Sequence, residues 1–194
     1  FGSPVRIPGY DRITESNIEQ AAEAFLRSHS DILKVDPDQV RLINKTFVNN
    51  RWYVSYVQTV GGVDVLLSEV RLRIFANGNV IAFGADYYPA LKPLAPASLS
   101  WQAAAAQAGT GLQAPTTPAL SVLPSNAASL FVLPLKQQDA IDYHLVYKVP
   151  VRSGYDSYVA YVDAHTGDVL WRYTTSHDAA TEVTSQGGIH AVTP

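Results

Sequence analysis

Five histidines, His29, His144, His165, His177 and His190, are the side chains best suited to hold a metal or shuttle a proton, so their spacing comes first. A zinc hydrolase needs two histidines one helical turn apart with a glutamate between them, so that both imidazoles face one ion and the carboxylate activates its water. No pair in this chain has that spacing, and no two histidines share a predicted helix. A serine hydrolase needs its serine on a strained turn between glycines. Ser153-Gly154 and Ser185-Gln186-Gly187 lack that frame and read as loops. Gly61-Gly62 and Gly187-Gly188 are followed by neither the lysine nor the helix of a phosphate-binding loop. Cysteine is absent, which excludes disulfides, thiolate zinc sites and a cysteine nucleophile.

Carboxylates offer a second kind of chemistry. Asp163 and Asp168 flank a turn, and Asp139 and Asp142 lie near each other. Turn aspartates bond local backbone amides, and that role explains these four without catalysis. Asn44-Lys45-Thr46 has the form of a glycosylation acceptor but falls in a predicted strand. Tyr87-Tyr88, ahead of Pro89, combines apolar area with polar tips and is the candidate partner surface; sheet packing is the alternative role for both rings. The residues taken by themselves describe a non-catalytic α+β binding or scaffold protein, not an enzyme.

Composition sets the outer bounds. A chain of 194 residues with 47% hydrophobic and 16% charged residues, 11 Tyr and 3 Trp is too apolar and aromatic to stay disordered. Its 14 Lys and Arg against 17 Asp and Glu give a net charge of −3 with no basic run, so nucleic acid is not an expected partner. No stretch reaches the roughly 18 apolar residues of a membrane span. Methionine is missing even at position 1, which reads as an excised piece of a longer precursor or a processed form.

The elements that must position these residues follow from periodicity. Ile18, Ala21, Ala22, Phe25 and Leu26 recur at helical spacing opposite Glu19, Gln20, Glu23 and Arg27, predicting an amphipathic helix over 14–29 capped by Thr14 or Ser16. After Asp36-Pro37 the period becomes two: Trp52, Val54 and Tyr56 alternate with Tyr53, Ser55 and Val57, and Val70, Leu72 and Ile74 with Arg71 and Arg73. Gly61-Gly62 and Asn77-Gly78 supply turns, making an antiparallel meander. Pro89, Pro93 and Pro96 mark a linker. A second, alanine-rich helix is predicted over 98–108, capped by Ser98 or Ser100, then strands near 130–135, 143–149, 155–162 and 169–173. Helix and meander recur in the same order, and Thr166-Gly167-Asp168-Val169-Leu170 matches Asn77-Gly78-Asn79-Val80-Ile81; duplication and shared hairpin chemistry both account for the match.

Two stretches carry a resemblance. Tyr56-Val57-Gln58-Thr59, Gly61-Gly62-Val63-Asp64-Val65, Ser68-Glu69-Val70-Arg71-Leu72, Asn77-Gly78 and Gly84 resemble the fungalysin/thermolysin propeptide domain. Tyr143-His144-Leu145-Val146-Tyr147, Tyr158 to Ala164 and Thr166 to Leu170 resemble the PepSY domain that follows it. The resemblance implies an α+β fold of two tandem cystatin-like subdomains, each a helix on a curved antiparallel sheet, over 1–91 and 92–175, with a polar tether and the start of a following segment over 176–194. It implies the prosegment of a secreted or cell-surface zinc metallopeptidase, acting as intramolecular chaperone and inhibitor. The partner is the peptidase domain, in cis or in trans; the zinc belongs to that domain and this chain carries no cofactor. Dimerisation through free sheet edges is open but not indicated. Thr174, Thr175, Ser176, His177 and Asp178 form the expected processing tether, where His177 is either a ligand for the partner's zinc or a solvated loop residue. The alternative is a stand-alone protein-binding or inhibitory module of an exported or cell-surface protein.

Overall fold

The computed structural model describes residues 5–113, 116–118, 130–138 and 140–175. The chain divides into two units, Phe1–Pro93 and Leu94–Pro194, and the proline-marked segment 89–98 contains neither helix nor strand. Each unit is α+β, with antiparallel strands and little helix.

In the first unit, strands β1 (Val5–Arg6), β2 (Val40–Val48), β3 (Arg51–Val60), β4 (Val63–Val65), β5 (Glu69–Phe75) and β6 (Asn79–Asp86) accompany helices α1 (Ile18–Ser28) and α2 (Ser30–Leu33). The sheet runs β1-β6-β5-β3-β2, with β4 folded back on the end of β3. Strand β3 buries every second residue, from Trp52 to Val60. Its register places Trp52 opposite Ile74, Val54 opposite Leu72 and Tyr56 opposite Val70, so six apolar side chains share one face. Against that face α1 packs Ile18, Ala21, Ala22, Phe25 and Leu26, the stripe that its spacing predicts. Each large side chain so buried contributes about 1.5–3 kcal/mol.

The start of α1 differs from expectation. Neither Thr14 nor Ser16 caps it; their hydroxyls bond each other at 2.9 Å. Asn17 occupies the cap position, and its side-chain oxygen accepts from the Thr14 amide at 2.8 Å while its amide donates to the Arg12 carbonyl at 3.0 Å. A polar turn over 14–17 therefore precedes the helix, which starts four residues later than predicted. Between β2 and β3, Asn49 and Asn50 both adopt positive φ, the pattern of a tight hairpin turn. At the β5–β6 turn, Gly78 sits at φ +82°, where the Ile7 amide donates to its carbonyl at 3.0 Å.

In the second unit, helix α3 (Trp101–Gln107) lies with strands β7 (Thr116–Pro118), β8 (Leu130–Lys136), β9 (Ile141–Ser153), β10 (Asp156–Asp163) and β11 (Val169–Thr174). Strands β8 to β11 form a meander, and β7 pairs with the far end of β9. Ser100, rather than Ser98, caps α3: its hydroxyl accepts from the Ala103 amide at 3.2 Å. The amides of Ser98 and Leu99 instead both donate to the Ala164 carbonyl, which keeps them out of the helix and shortens it relative to the predicted one. Two clasps hold α3: the Tyr147 hydroxyl donates to the Leu99 carbonyl at 2.8 Å, and Arg172 donates to the carbonyls of Ala108 and Thr110 at 3.0 and 2.6 Å. The arginine thus satisfies carbonyls at and just beyond the C-terminal cap of α3, where a cation is favoured.

Two glycines with nearly equal φ separate strain from crowding. A Cβ on Gly62 meets nothing within 4 Å, whereas one on Gly78 falls 2.0 Å from the Tyr10 carbonyl oxygen. Gly62→Ala is expected to lower the unfolding free energy by about 1 kcal/mol, and Gly78→Ala by about 3 kcal/mol. Urea unfolding followed by tryptophan fluorescence checks both.

Candidate functional site

The residues singled out by sequence occupy distinct places. The Tyr87 hydroxyl donates to Gln39 Oε1 and accepts from the Asp36 amide, both at 3.2 Å, and its ring packs against the core. Burial pushes its pKa upward. Tyr88 is held by its backbone: fully buried Gln58 accepts from its amide at 2.9 Å and donates to its carbonyl at 3.0 Å. Thr174 ends β11, and the Thr175 amide donates to the Ser157 carbonyl at 2.7 Å, so these two residues are bound to the sheet. Ser176, His177 and Asp178 lie outside the described residues, as do Asp139, Ser185 to Gly188 and His190.

Periodicity gives no sign of the cluster around Asp163. This carboxylate is buried at the end of β10. One oxygen accepts from the amides of His165 and Thr166 at 2.8 and 3.0 Å; the other meets His144 Nδ1 at 2.9 Å. His165 Nε2 lies 3.1 Å from the Pro96 carbonyl. Desolvation raises the Asp163 pKa, but the amides and His144 outweigh it and hold the carboxyl below its ordinary value. An imidazole on a buried carboxylate is two-thirds of a hydrolytic triad. No group of His, Asp and Glu among the described residues could hold a metal ion. Through the His165 and Thr166 amides the aspartate ties the turn together, the role its position in sequence implies. Asp168 does the same, accepting from the Thr166 hydroxyl at 2.7 Å.

The surface with recognition chemistry is the face of the first sheet turned away from α1. Because β3 and β5 bury one side, their alternate residues gather on the other: Arg51 and Tyr53 from β3, Arg71, Arg73 and Phe75 from β5. Register puts Arg51 opposite Phe75 and Tyr53 opposite Arg73. The Arg51 guanidinium lies 5.2 Å from the Phe75 ring centre, and that of Arg73 lies 5.5 Å from the Tyr53 ring centre. Such stacking holds a cation in place without neutralising it. Arg41 is paired with Asp64, and Arg71 with Glu69 and Asp86, whereas Arg51 and Arg73 have no carboxylate partner among the described residues. Two exposed positive charges remain, each held over one aromatic ring. Sequence reading identified the alternation but not the checkerboard, because cross-strand register is absent from a linear pattern.

No family model matches the chain, and no curated protein matches it. Among solved structures it is similar to the C-terminal domain of Bacillus megaterium YpeB, at 15% identity and a TM-score of 0.41 over 87% of this chain and 68% of that one. It is also similar to a candidate lipoprotein from Clostridium difficile 630, at 15% identity and a TM-score of 0.26 over 80% of this chain and 91% of that one. No helix among the described residues is long and apolar enough to cross a membrane.

The lowered pKa of Asp163 gives a signed expectation. A carboxyl depressed in the folded state stabilises above its unfolded pKa of about 3.9, and that contribution is lost as pH falls through the folded value. Asp163→Asn is expected to lower stability at neutral pH by about 1–3 kcal/mol and to flatten the acid limb of the stability profile. Equal losses at neutral pH and well below the folded pKa, measured by urea unfolding, would contradict this account.

Proposed function

We infer that this chain is the prosegment of a secreted or cell-surface zinc metallopeptidase, acting as intramolecular chaperone and inhibitor of the peptidase domain. In this reading each unit follows the cystatin-like plan, the first of the fungalysin/thermolysin propeptide type and the second of the PepSY type. The observation that carries the reading is the helix-free face around Arg51, Tyr53, Arg73 and Phe75: a rigid sheet with two unneutralised arginines and two aromatic rings. Arginine and aromatic residues dominate the energetics of protein interfaces. A preformed surface of this kind accelerates folding by binding the partner's folding transition state more tightly than its unfolded chain, and it inhibits by covering the substrate cleft. Zinc and the catalytic groups belong to the peptidase domain in this reading, so none is required of the present chain.

The test begins with the gene: a downstream His-Glu-x-x-His within a peptidase domain is expected, and adhesion or repeat domains in its place would withdraw the prosegment role in favour of a stand-alone binding module. The isolated chain is then expected to inhibit that mature peptidase in trans at micromolar concentration. Arg51→Glu with Arg73→Glu should raise the inhibition constant at least about tenfold, a loss of about 1.4 kcal/mol, with the circular dichroism spectrum unchanged. Inhibition unaltered by the double variant would move the contact surface elsewhere.

A further inference from the structure

On the opposite side of the first sheet, a cleft of about 350 Å³ opens between α1 and strands β2 and β3. Leu26 of α1 and Val40 and Leu42 of β2 supply apolar lining, Glu19 and Glu23 stand on the helix side, and Tyr56 of β3 completes the wall. Tyr56 is only 6% exposed, and its hydroxyl has no hydrogen-bond partner. Leaving a buried hydroxyl unpaired is costly, and a native structure tolerates it where a water or ligand completes the bond. Trp52 and Trp101 also have unpartnered ring nitrogens, but neither residue lines this cleft.

Charge at the cleft defines what would complete that bond. Glu19 is paired with Lys45 at 2.8 Å, and Arg27 is shared between Glu23 at 2.8 Å and Asp38 at 2.6 Å. Three carboxylates thus face two cations, leaving one negative charge unbalanced. Burial and the nearby carboxylates of Glu23 and Glu19 keep the Tyr56 phenol protonated, so its oxygen remains a neutral acceptor. Apolar walls, an acceptor hydroxyl and a single surplus carboxylate suit a short alkyl chain that ends in one ammonium group. The Tyr56 hydroxyl oxygen is closed to solvent, so entry of the ammonium requires the half-exposed Glu19 and Glu23 side chains at the mouth to change rotamer.

We propose that the cleft between α1, β2 and β3 binds a primary alkylammonium group, with the alkyl stem against Leu26, Val40 and Leu42 and the ammonium donating to Tyr56 and to a glutamate of α1. The same chemistry belongs to a free aliphatic amine and to a lysine side chain. This site lies on the face away from the arginine checkerboard and does not depend on the prosegment reading.

The experiment is a ¹H–¹⁵N NMR titration of the full chain with n-butylammonium chloride, against n-butanol and sodium chloride as controls. Saturable shifts are expected at the amides of Leu26, Leu42 and Tyr56, with n-butanol at least about threefold weaker. Tyr56→Phe should weaken n-butylammonium at least about threefold while unfolding no earlier than the native chain, because it removes the unpaired hydroxyl. Glu23→Gln should also weaken it, and Tyr53→Phe, on the other face of β3, should not. A parallel titration with Nα-acetyl-lysine N-methylamide distinguishes the sources: tighter binding than n-butylammonium assigns the cleft to a lysine side chain, and weaker binding to a free amine. Absence of saturable shifts with n-butylammonium, equal affinity for n-butanol, or binding unchanged in Tyr56→Phe would overturn the proposal.

Discussion

Strand β3 is paired on both sides, to β2 and to β5, and its period-two alternation decides which side of the first sheet is dry. A shift of one residue in its register would send Trp52, Val54 and Tyr56 into solvent and bring Arg51 and Tyr53 under the helix. Burial of six apolar side chains from β3 and β5 fixes one arrangement, and the arginine-bearing face follows as its complement. The amphipathic stripe of α1 has one place to go, and Gln58, at the buried end of β3, is satisfied by the backbone of Tyr88 where the chain leaves β6. Core, helix position and the path of residues 87–91 therefore share one cause.

In the second unit polar groups carry more of the positioning. Helix α3 is short and rich in alanine, so it offers modest apolar area, and hydrogen bonds from Tyr147 and Arg172 supplement it. Asp163 ties the β10–β11 turn to β9 through His144 and to the segment entering α3 through the turn held by Ala164. A buried carboxylate with three donors stabilises a turn at the cost of acid sensitivity.

The two surfaces with binding chemistry have different physical origins. Stacking on Phe75 and Tyr53 fixes Arg51 and Arg73 where a flexible side chain would otherwise lose entropy on contact, which is the preorganisation that an interface benefits from. Tyr56 faces the other way, into the cleft between α1, β2 and β3. Both arise from β3, whose odd- and even-numbered residues serve opposite faces.

Much of the fold was legible in the sequence, because burial of one face imposes period 3.6 on a helix and period two on a strand. The stripe from Ile18 to Leu26, the alternation of Trp52 to Val60, and the turns at Gly61-Gly62 and Asn77-Gly78 are direct consequences. Helix ends were less legible, since Thr14, Ser16 and Ser98 are all good caps in isolation and the choice fell to nearby backbone partners such as the Ala164 carbonyl. Asn49-Asn50 takes positive φ at both positions without a glycine, so residue type marks that turn less plainly than Asn77-Gly78. Residue types alone determined that paired-histidine zinc motifs, cysteine chemistry and a glycine-flanked serine are missing from this chain. Only tertiary structure decided that Arg51 meets Phe75, that His144 reaches Asp163 and that the Tyr56 hydroxyl is left without a partner. Those three facts depend on cross-strand register and on how closely a helix approaches a sheet, and neither distance is a function of separation along the chain.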